Sequence, residues 1–485
     1  MTRTRVRANV RFGCEQCGAE APKWVGRCAE CGEWGTVVEV PAELLEAATI
    51  RPAGLVELER RGASHSPGNQ AATPTPLAEV EPVAASRRST GVGELDRVLS
   101  GGLVPGSVTL LGGEPGVGKS TLLLQALVAM AKAGARVLLV AAEESAAQVR
   151  LRAERLGDLP ESLLVLSETS MPYVLAHAAQ VAPDVLVVDS IQTVHDPDAP
   201  GVPGSVTQVR DSTHALVRFA KDQGTAVLLV GHVTKDGTIA GPRVLEHVVD
   251  TVLHFEGERN GALRLLRALK HRFGRTDEIG LFEMTASGLG EVEDASAMLL
   301  ADRLPGACGS VVVPMLEGSR PLLVEVQALV AVTNAPVPRR QAQAFDNGRL
   351  AMLTAVLGKR GGVPVGMLDL YASVVGGVRL ADTGADLGVI LATASSLYDR
   401  PFSSSWVALG EVGLGGEVRA VPRVAQRLAE AARIGFAGAI VPQSTPAVDG
   451  IDLVRVVDVQ EALDAARLSE LDRCYGKSEP GLQLV

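Results

Sequence analysis

Residues 112–121 read GGEPGVGKST, and within them Gly113, Glu114, Pro115, Gly116, Val117, Gly118, Lys119 and Ser120 fill every position of the pattern GxxxxGK[ST]. That spacing serves the binding of a nucleoside triphosphate. The glycines let backbone N–H groups close on phosphate oxygens, Lys119 reaches the outer phosphates, and Ser120 offers its hydroxyl to Mg²⁺. With Thr121 they form the expected ATP-binding set.

Further groups able to do chemistry stand where apolar runs end. The run 137–141 is followed by Glu143 and Glu144, the run 185–188 by Asp189, and the run 226–230 by His232. Asp189 is placed to hold Mg²⁺ as the acidic partner of a phosphate loop. Glu143 is the expected base for the attacking water, with Glu144 as second choice. His232 either senses the γ-phosphate or is a satisfied buried histidine. The glycine-rich segment 234–243 carries Lys235 and Arg243, cations suited to nucleic-acid phosphates.

A second chemistry lies near the N-terminus. Cys14, Cys17, Cys28 and Cys31 form two CxxC pairs, the spacing of a closed four-thiolate Zn²⁺ site with a structural or docking role. Between the pairs, Lys23, Trp24 and Arg27 make a basic and aromatic stretch that either stacks on single-stranded bases or packs against the ribbon.

These residues need elements to position them. Residues 107–111 read as a strand entering the phosphate loop and 121–132 as a helix leaving it, so the helix N-terminus faces the phosphates. Strands alternating with helices from 90 to about 290 predict a parallel sheet covered on both faces. In such sheets ligands bind beyond the carboxyl ends of the strands, where these polar residues stand. At 485 residues the chain calls for several domains. The expected order is a zinc ribbon at 10–40, a flexible linker at 41–88, an α/β ATPase domain at 89–292, a second α/β domain at 293–470 and a tail at 471–485. Forty-six Lys and Arg against 56 Asp and Glu give a net charge of -10, which argues against wholesale coating of nucleic acid and leaves room for local basic patches. No apolar run approaches the ~18 residues that span a bilayer, and the N-terminus lacks a signal-peptide core, so the expectation is a cytoplasmic protein.

The cysteine pairs, the phosphate loop within STGVGELDRVLSGGLVPGSVTLLGGEPGVGKSTLLLQ, AAEES, VVDSIQT, GHVTKDGTIAGPRVLEH and KHRFG at 270–274 together resemble the bacterial RadA (Sms) family of recombination and repair proteins. The resemblance implies a RecA-like ATPase core that forms a hexameric homo-oligomer on single-stranded DNA. It also implies branch migration of recombination intermediates and work beside a RecA-type recombinase. The family segment is KNRFG, and here His271 stands in place of its asparagine. In a RecA-like domain, Lys270 and Arg272 on a strand end are placed to act in trans on a neighbour's phosphates, or else form a basic edge or DNA contact.

The segments VVGGVRLADTGADLGVILATASSL and GEVGLGGEVRAVPRVAQRLAEAARIGF resemble the Lon protease proteolytic domain. Aligned on it, Gly384 takes the seat of the nucleophilic serine and Ala425 that of the lysine, a pair that cannot do nucleophilic catalysis. Arg379, Arg419, Arg423 and Arg427 in these segments either meet DNA phosphates or pair with acids. Two other function classes stand against the DNA motor: an ATP-dependent protease of Lon type, and a nucleotide-gated signalling scaffold.

Overall fold

The apolar runs become strands in a computed structural model. It describes residues 11–14, 20–21, 23–29, 34, 37–40, 76, 87–232, 244–257, 263–285, 288–333, 335–376 and 378–468. The expected linker, apart from residues 76, 87 and 88, and the expected tail lie outside the described residues.

Strands β1 (Arg11–Cys14), β2 (Glu20–Ala21) and β3 (Val37–Val40) form a small antiparallel sheet with β1 in the centre. Cys14 and Cys28, 1% and 4% exposed, share a small buried cluster with Val37, against which Phe12 and Val25 pack.

The larger sheet contains β4 (Val108–Gly113), β5 (Val137–Ala141), β6 (Leu163–Leu166), β7 (Val185–Asp189), β8 (Ala226–His232), β9 (Thr251–Glu256), β10 (Leu263–His271), β11 (Ile279–Thr285) and β12 (Gly288–Glu291). Its spatial order is β12-β11-β10-β9-β4-β8-β7-β5-β6. The six strands from β9 to β6 run parallel, while β10 lies antiparallel to β9 and β12 to β11. Parallel strands with both faces covered read as unbroken apolar runs, which is why β4, β5 and β7 were plain in the sequence. Their alternate residues feed two cores. Leu111, Val137 and Leu139 pack with Leu122, Leu123 and Leu127 of the helix Lys119–Lys132. Leu110, Leu138 and Val140 pack on the other face with Val174 and Leu216 of the helices Met171–Val181 and Val206–Gln223.

The chain divides into two units, one of residues 1–259 and 264–291, the other of residues 260–263 and 292–485. In the second, β13 (Ser310–Glu317), β14 (Arg320–Val332), β15 (Arg340–Gln343), β16 (Leu368–Val374), β17 (Trp406–Ala408), β20 (Gly438–Pro442) and β21 (Asp452–Val456) make a mixed sheet ordered β15-β16-β14-β13-β17-β20-β21, with the short hairpin β18 (Glu411–Val412) and β19 (Val418–Arg419) beside it. The helix Asp386–Tyr398 is buried along almost its whole length. Among the described residues no helix is long and apolar enough to cross a membrane.

Candidate active site

The phosphate loop leaves the sheet at Gly113, which pairs with His232 of β8 on one side and Phe255 of β9 on the other. A side chain at Gly113 would run into the Phe255 carbonyl, so glycine is required by close approach. Gly116 and Gly118 have φ of +83° and +114°, the left-handed region that favours glycine. Gly118 is the N-cap of the helix Lys119–Lys132 and supplies no side-chain cap. The first-turn N–H groups therefore face the loop, an arrangement that suits a phosphate.

Lys119 is 5% exposed, and its ammonium donates to the carbonyls of Gly113 at 2.7 Å and Glu114 at 3.0 Å. Burial pushes its pKa down, and the carboxylates of Asp189 and Glu143 pull it back up. Ser120 and Thr121 are half-buried in the first helical turn, while Glu114, Pro115 and Gly116 are exposed and Val117 is buried.

The two carboxylates come from neighbouring strands. Asp189 ends β7 in register with Ala141 of β5, and Glu143 follows two residues later. Ser190, fully buried, donates its hydroxyl to the Glu143 carboxylate. Sequence reasoning gave Ser190 no role, because the contact crosses from one strand end to the next. Glu144, the second choice as base, turns to Arg152 at 2.6 Å, so only Glu143 of the two acids is among the charges acting on Lys119.

Two ligand groups meet a matching donor set. The loop's glycines, the uncapped helix end and the carbonyl-held ammonium fit the phosphates of ATP, and Ser120 and Asp189 are the groups that would hold Mg²⁺. The buried Cys14 and Cys28 supply one thiol from each CxxC pair to one cluster, as a closed Zn²⁺ site needs, while Cys17 and Cys31 lie outside the described residues. Lys235, Arg243 and the side chain of His232 also lie outside them.

Lys270 and Arg272 sit at the other end of the sheet. Lys270 pairs with Val252 and His271 with Thr251 at the start of β9, and Thr251 is in register with Thr109 near the start of β4. The four steps along the strand from Thr109 to Gly113 span about 13 Å, so neither cation reaches its own phosphate loop. The Lys270 ammonium donates to the carbonyls of Glu246 and Val249, each at 2.7 Å, closing the end of the helix Val244–Val248. Burial, then the nearby Arg272, lowers its pKa. Arg272 pairs with Asp250 at 3.0 Å, and Asp250 also accepts the Val108 N–H at 3.0 Å. Asp250 was missed in the sequence; the signal was a single acid inside the apolar run VVDTVLHF. His271 meets the Thr251 hydroxyl at 2.9 Å, and burial lowers its pKa. Arg87 donates to the Phe273 carbonyl at 2.6 Å and fixes the rest of the KHRFG segment.

In the second unit, Gly384 lies in the turn Thr383–Ala385, its N–H donating to Asp382. Arg427, 3% exposed, ion-pairs with Asp382 and donates to the carbonyls of Pro314 and Pro422, each at 3.0 Å. A side chain on Gly384 would begin 3.1 Å from the Arg427 guanidinium. Of the two alternatives for Arg427, DNA contact or pairing with an acid, the residue takes the second, in the interior. The residue of its helix beside Gly384 is Arg427, whereas Ala425, the position aligned on the lysine, is exposed. Arg419 pairs with Glu417, while Arg379 and Arg423 are exposed. Trp24, left between stacking on bases and packing on the ribbon, is 61% exposed.

Residues 73–238 match the AAA domain model, and residues 12–39 match the rubredoxin metal binding domain model. The chain is 49% identical to the DNA repair protein RadA of Pseudomonas aeruginosa, over 95% of this chain and 99% of that one. It is 46% identical to the RadA of Bacillus subtilis, over 93% of this chain and 97% of that one. With the RadA of Streptococcus pyogenes serotype M1 it shares 45% identity, over 92% and 95%. With its metal-binding ribbon, its RecA-like ATPase core and this likeness along nearly its whole length, the chain belongs to the RadA family.

Proposed function

We propose that this chain is a DNA-stimulated ATPase that assembles as a ring, a hexamer by family resemblance, on single-stranded DNA. It promotes branch migration and the processing of recombination intermediates, working beside a RecA-type recombinase. The observation that carries the reading is the separation of two halves of one catalytic set. The phosphate loop, Asp189 and Glu143 share the carboxyl edge of the sheet, while Lys270 and Arg272 stand at its amino edge. A second copy can bring the one to the other, and a ring repeats that meeting at every interface. The relatives' designation as DNA repair proteins supports DNA as the ligand.

Lys119 exchanges the carbonyls of Gly113 and Glu114 for phosphate oxygens. Ser120 and Asp189 would hold Mg²⁺, which would neutralise charge on the phosphates. Glu143, held by Ser190, takes the proton of the attacking water. Lys270 and Arg272 of one subunit stabilise charge at the site of the next, and Lys235 and Arg243 contact the DNA backbone. The ribbon at 10–40 holds Zn²⁺, the linker at 41–88 tethers it, and the domain at 293–470 is a proteolytically inactive scaffold. The ion pair beside Gly384 supports that last assignment against a Lon-type protease.

Subunit mixing tests the reading. Lys270→Ala or Arg272→Ala subunits and Glu143→Gln subunits should each be inactive alone, and mixed rings should regain part of the DNA-stimulated turnover. No recovery at any ratio, with mixed rings verified by mass, contradicts action in trans.

A further inference from the structure

The ribbon carries two of the chain's three tryptophans, and neither is in a core. Trp24 is 61% and Trp34 74% exposed. Both face the same small residue. A side-chain carbon built on Gly26 would lie 3.7 Å from Trp24 Cη2 and 3.8 Å from Trp34 Cζ3, so the two indoles flank a glycine gap. Arg27 forms an isolated antiparallel bridge with Trp34, and its guanidinium stands 5.8 Å from the centre of that indole ring. Lys23 and Arg27 are exposed, and in the sequence 23–34 they stand with two acids, Glu30 and Glu33. Cys28 in the same turn is buried, so the turn is anchored from below by the ribbon's own cluster.

Large apolar rings held at the surface by a rigid turn mark a contact surface. We infer that Trp24, Trp34 and Arg27 form a stacking platform for the unpaired bases of single-stranded DNA, with Lys23 and Arg27 meeting the backbone phosphates. This rests on reading the chain as a DNA-dependent motor, and adds a second point of contact outside the ATPase domain. The chemistry selects the ligand. Exposed indoles bind any base through its π face, guanidinium adds cation–π attraction, and adjacent cations fit a polyanion. A duplex hides its base faces, so the platform takes single strands and is indifferent to sequence.

The test uses the full chain with zinc content measured for every variant. It compares a labelled oligothymidylate with an abasic oligomer of equal length. Trp24→Ala and Trp34→Ala should each weaken oligothymidylate binding roughly five- to hundredfold and leave abasic binding unchanged. The slope of log affinity against log salt should stay as in the wild type for both. Lys23→Gln should instead lower that slope by roughly one on either oligomer. If an alanine variant loses zinc, the double variant Trp24→Phe with Trp34→Phe decides: it should keep zinc and most of the binding while losing the indole quenching that oligothymidylate causes in the wild type. Equal losses on both oligomers, or no quenching in the wild type, overturn the platform. Unchanged DNA binding with lost capture of a RecA-type recombinase also overturns it, and makes the surface a protein-docking face. A wild type that binds neither oligomer overturns the motor reading itself; DNA-stimulated hydrolysis alongside indifferent tryptophan variants overturns the platform alone.

Discussion

Lys119 in the first unit and Arg427 in the second are both buried cations beside a glycine, and the two are held in opposite ways. Lys119 rests on two backbone carbonyls, with Asp189 and Glu143 near enough to act on its charge. Arg427 is matched by the Asp382 carboxylate and by two further carbonyls. Carbonyls are neutral and are given up readily for phosphate, whereas a buried carboxylate can be given up only at the cost of stranding two charges. The first arrangement leaves a site able to take a ligand. The second leaves a structural bond where the resemblance places chemistry.

Five substitutions break or sharpen that contrast. Arg427→Met should destabilise the second unit by about 3 to 5 kcal/mol, since it removes the cation from the Asp382 carboxylate, whose side chain is only 12% exposed. Adding Asp382→Asn should recover part of the loss in the same denaturant titration. A single variant as stable as the wild type would mean that the pair is not a lock. Lys119→Ala should leave the melting temperature near that of the wild type and cut ATP hydrolysis at least a hundredfold, about 3 kcal/mol of transition-state stabilisation. Phosphate release near the wild-type rate would remove the loop from the account.

Smaller effects follow. Ser190→Ala removes the hydroxyl that holds Glu143 and should slow turnover roughly tenfold, about 1.5 kcal/mol, without changing nucleotide affinity. A lower affinity at unchanged turnover would instead put Ser190 in ground-state binding. The least effect is at Asp294, which caps the helix Ala295–Leu300 and is hydrogen-bonded by Arg433, so that its pKa falls to about 2. A lowered carboxylate pKa stabilises the fold above its unfolded value of roughly 4, and that contribution is lost as pH falls through about 2. Arg433 is half exposed, so solvent discounts the pair, and Asp294→Asn should cost less than about 1 kcal/mol at neutral pH. The variant's stability should also change less between pH 4 and pH 2 than the wild type's; equal pH profiles would show that Asp294 contributes nothing there.

What the sequence disclosed follows from locality. The phosphate loop is a run of adjacent residues, and β5 was bounded at the residues that form it because a strand buried on both faces is apolar throughout. β6 was not recognised: it is four residues long, two of them exposed, with no alternation to mark it. The pairing of Lys270 with the end of the helix Val244–Val248 and of Arg272 with Asp250 depends on a strand returning antiparallel, which no local pattern encodes. Arg427 was left between DNA and an acidic partner for a related reason. A cation on an amphipathic helix is usually solvated, and only the fold brings Asp382, 45 residues earlier, against it. The exposure of Trp24 was undecided in the sequence, because indoles cap small cores as often as they face water.

The contrast between an open and a locked cation is tested most directly by following phosphate release and casein digestion in one reaction, with and without single-stranded DNA. The account predicts ATP hydrolysis that rises with DNA while casein stays intact, and that Lys119→Ala abolishes the hydrolysis. Cleavage of casein, or hydrolysis that is indifferent both to DNA and to the loss of Lys119, would contradict it.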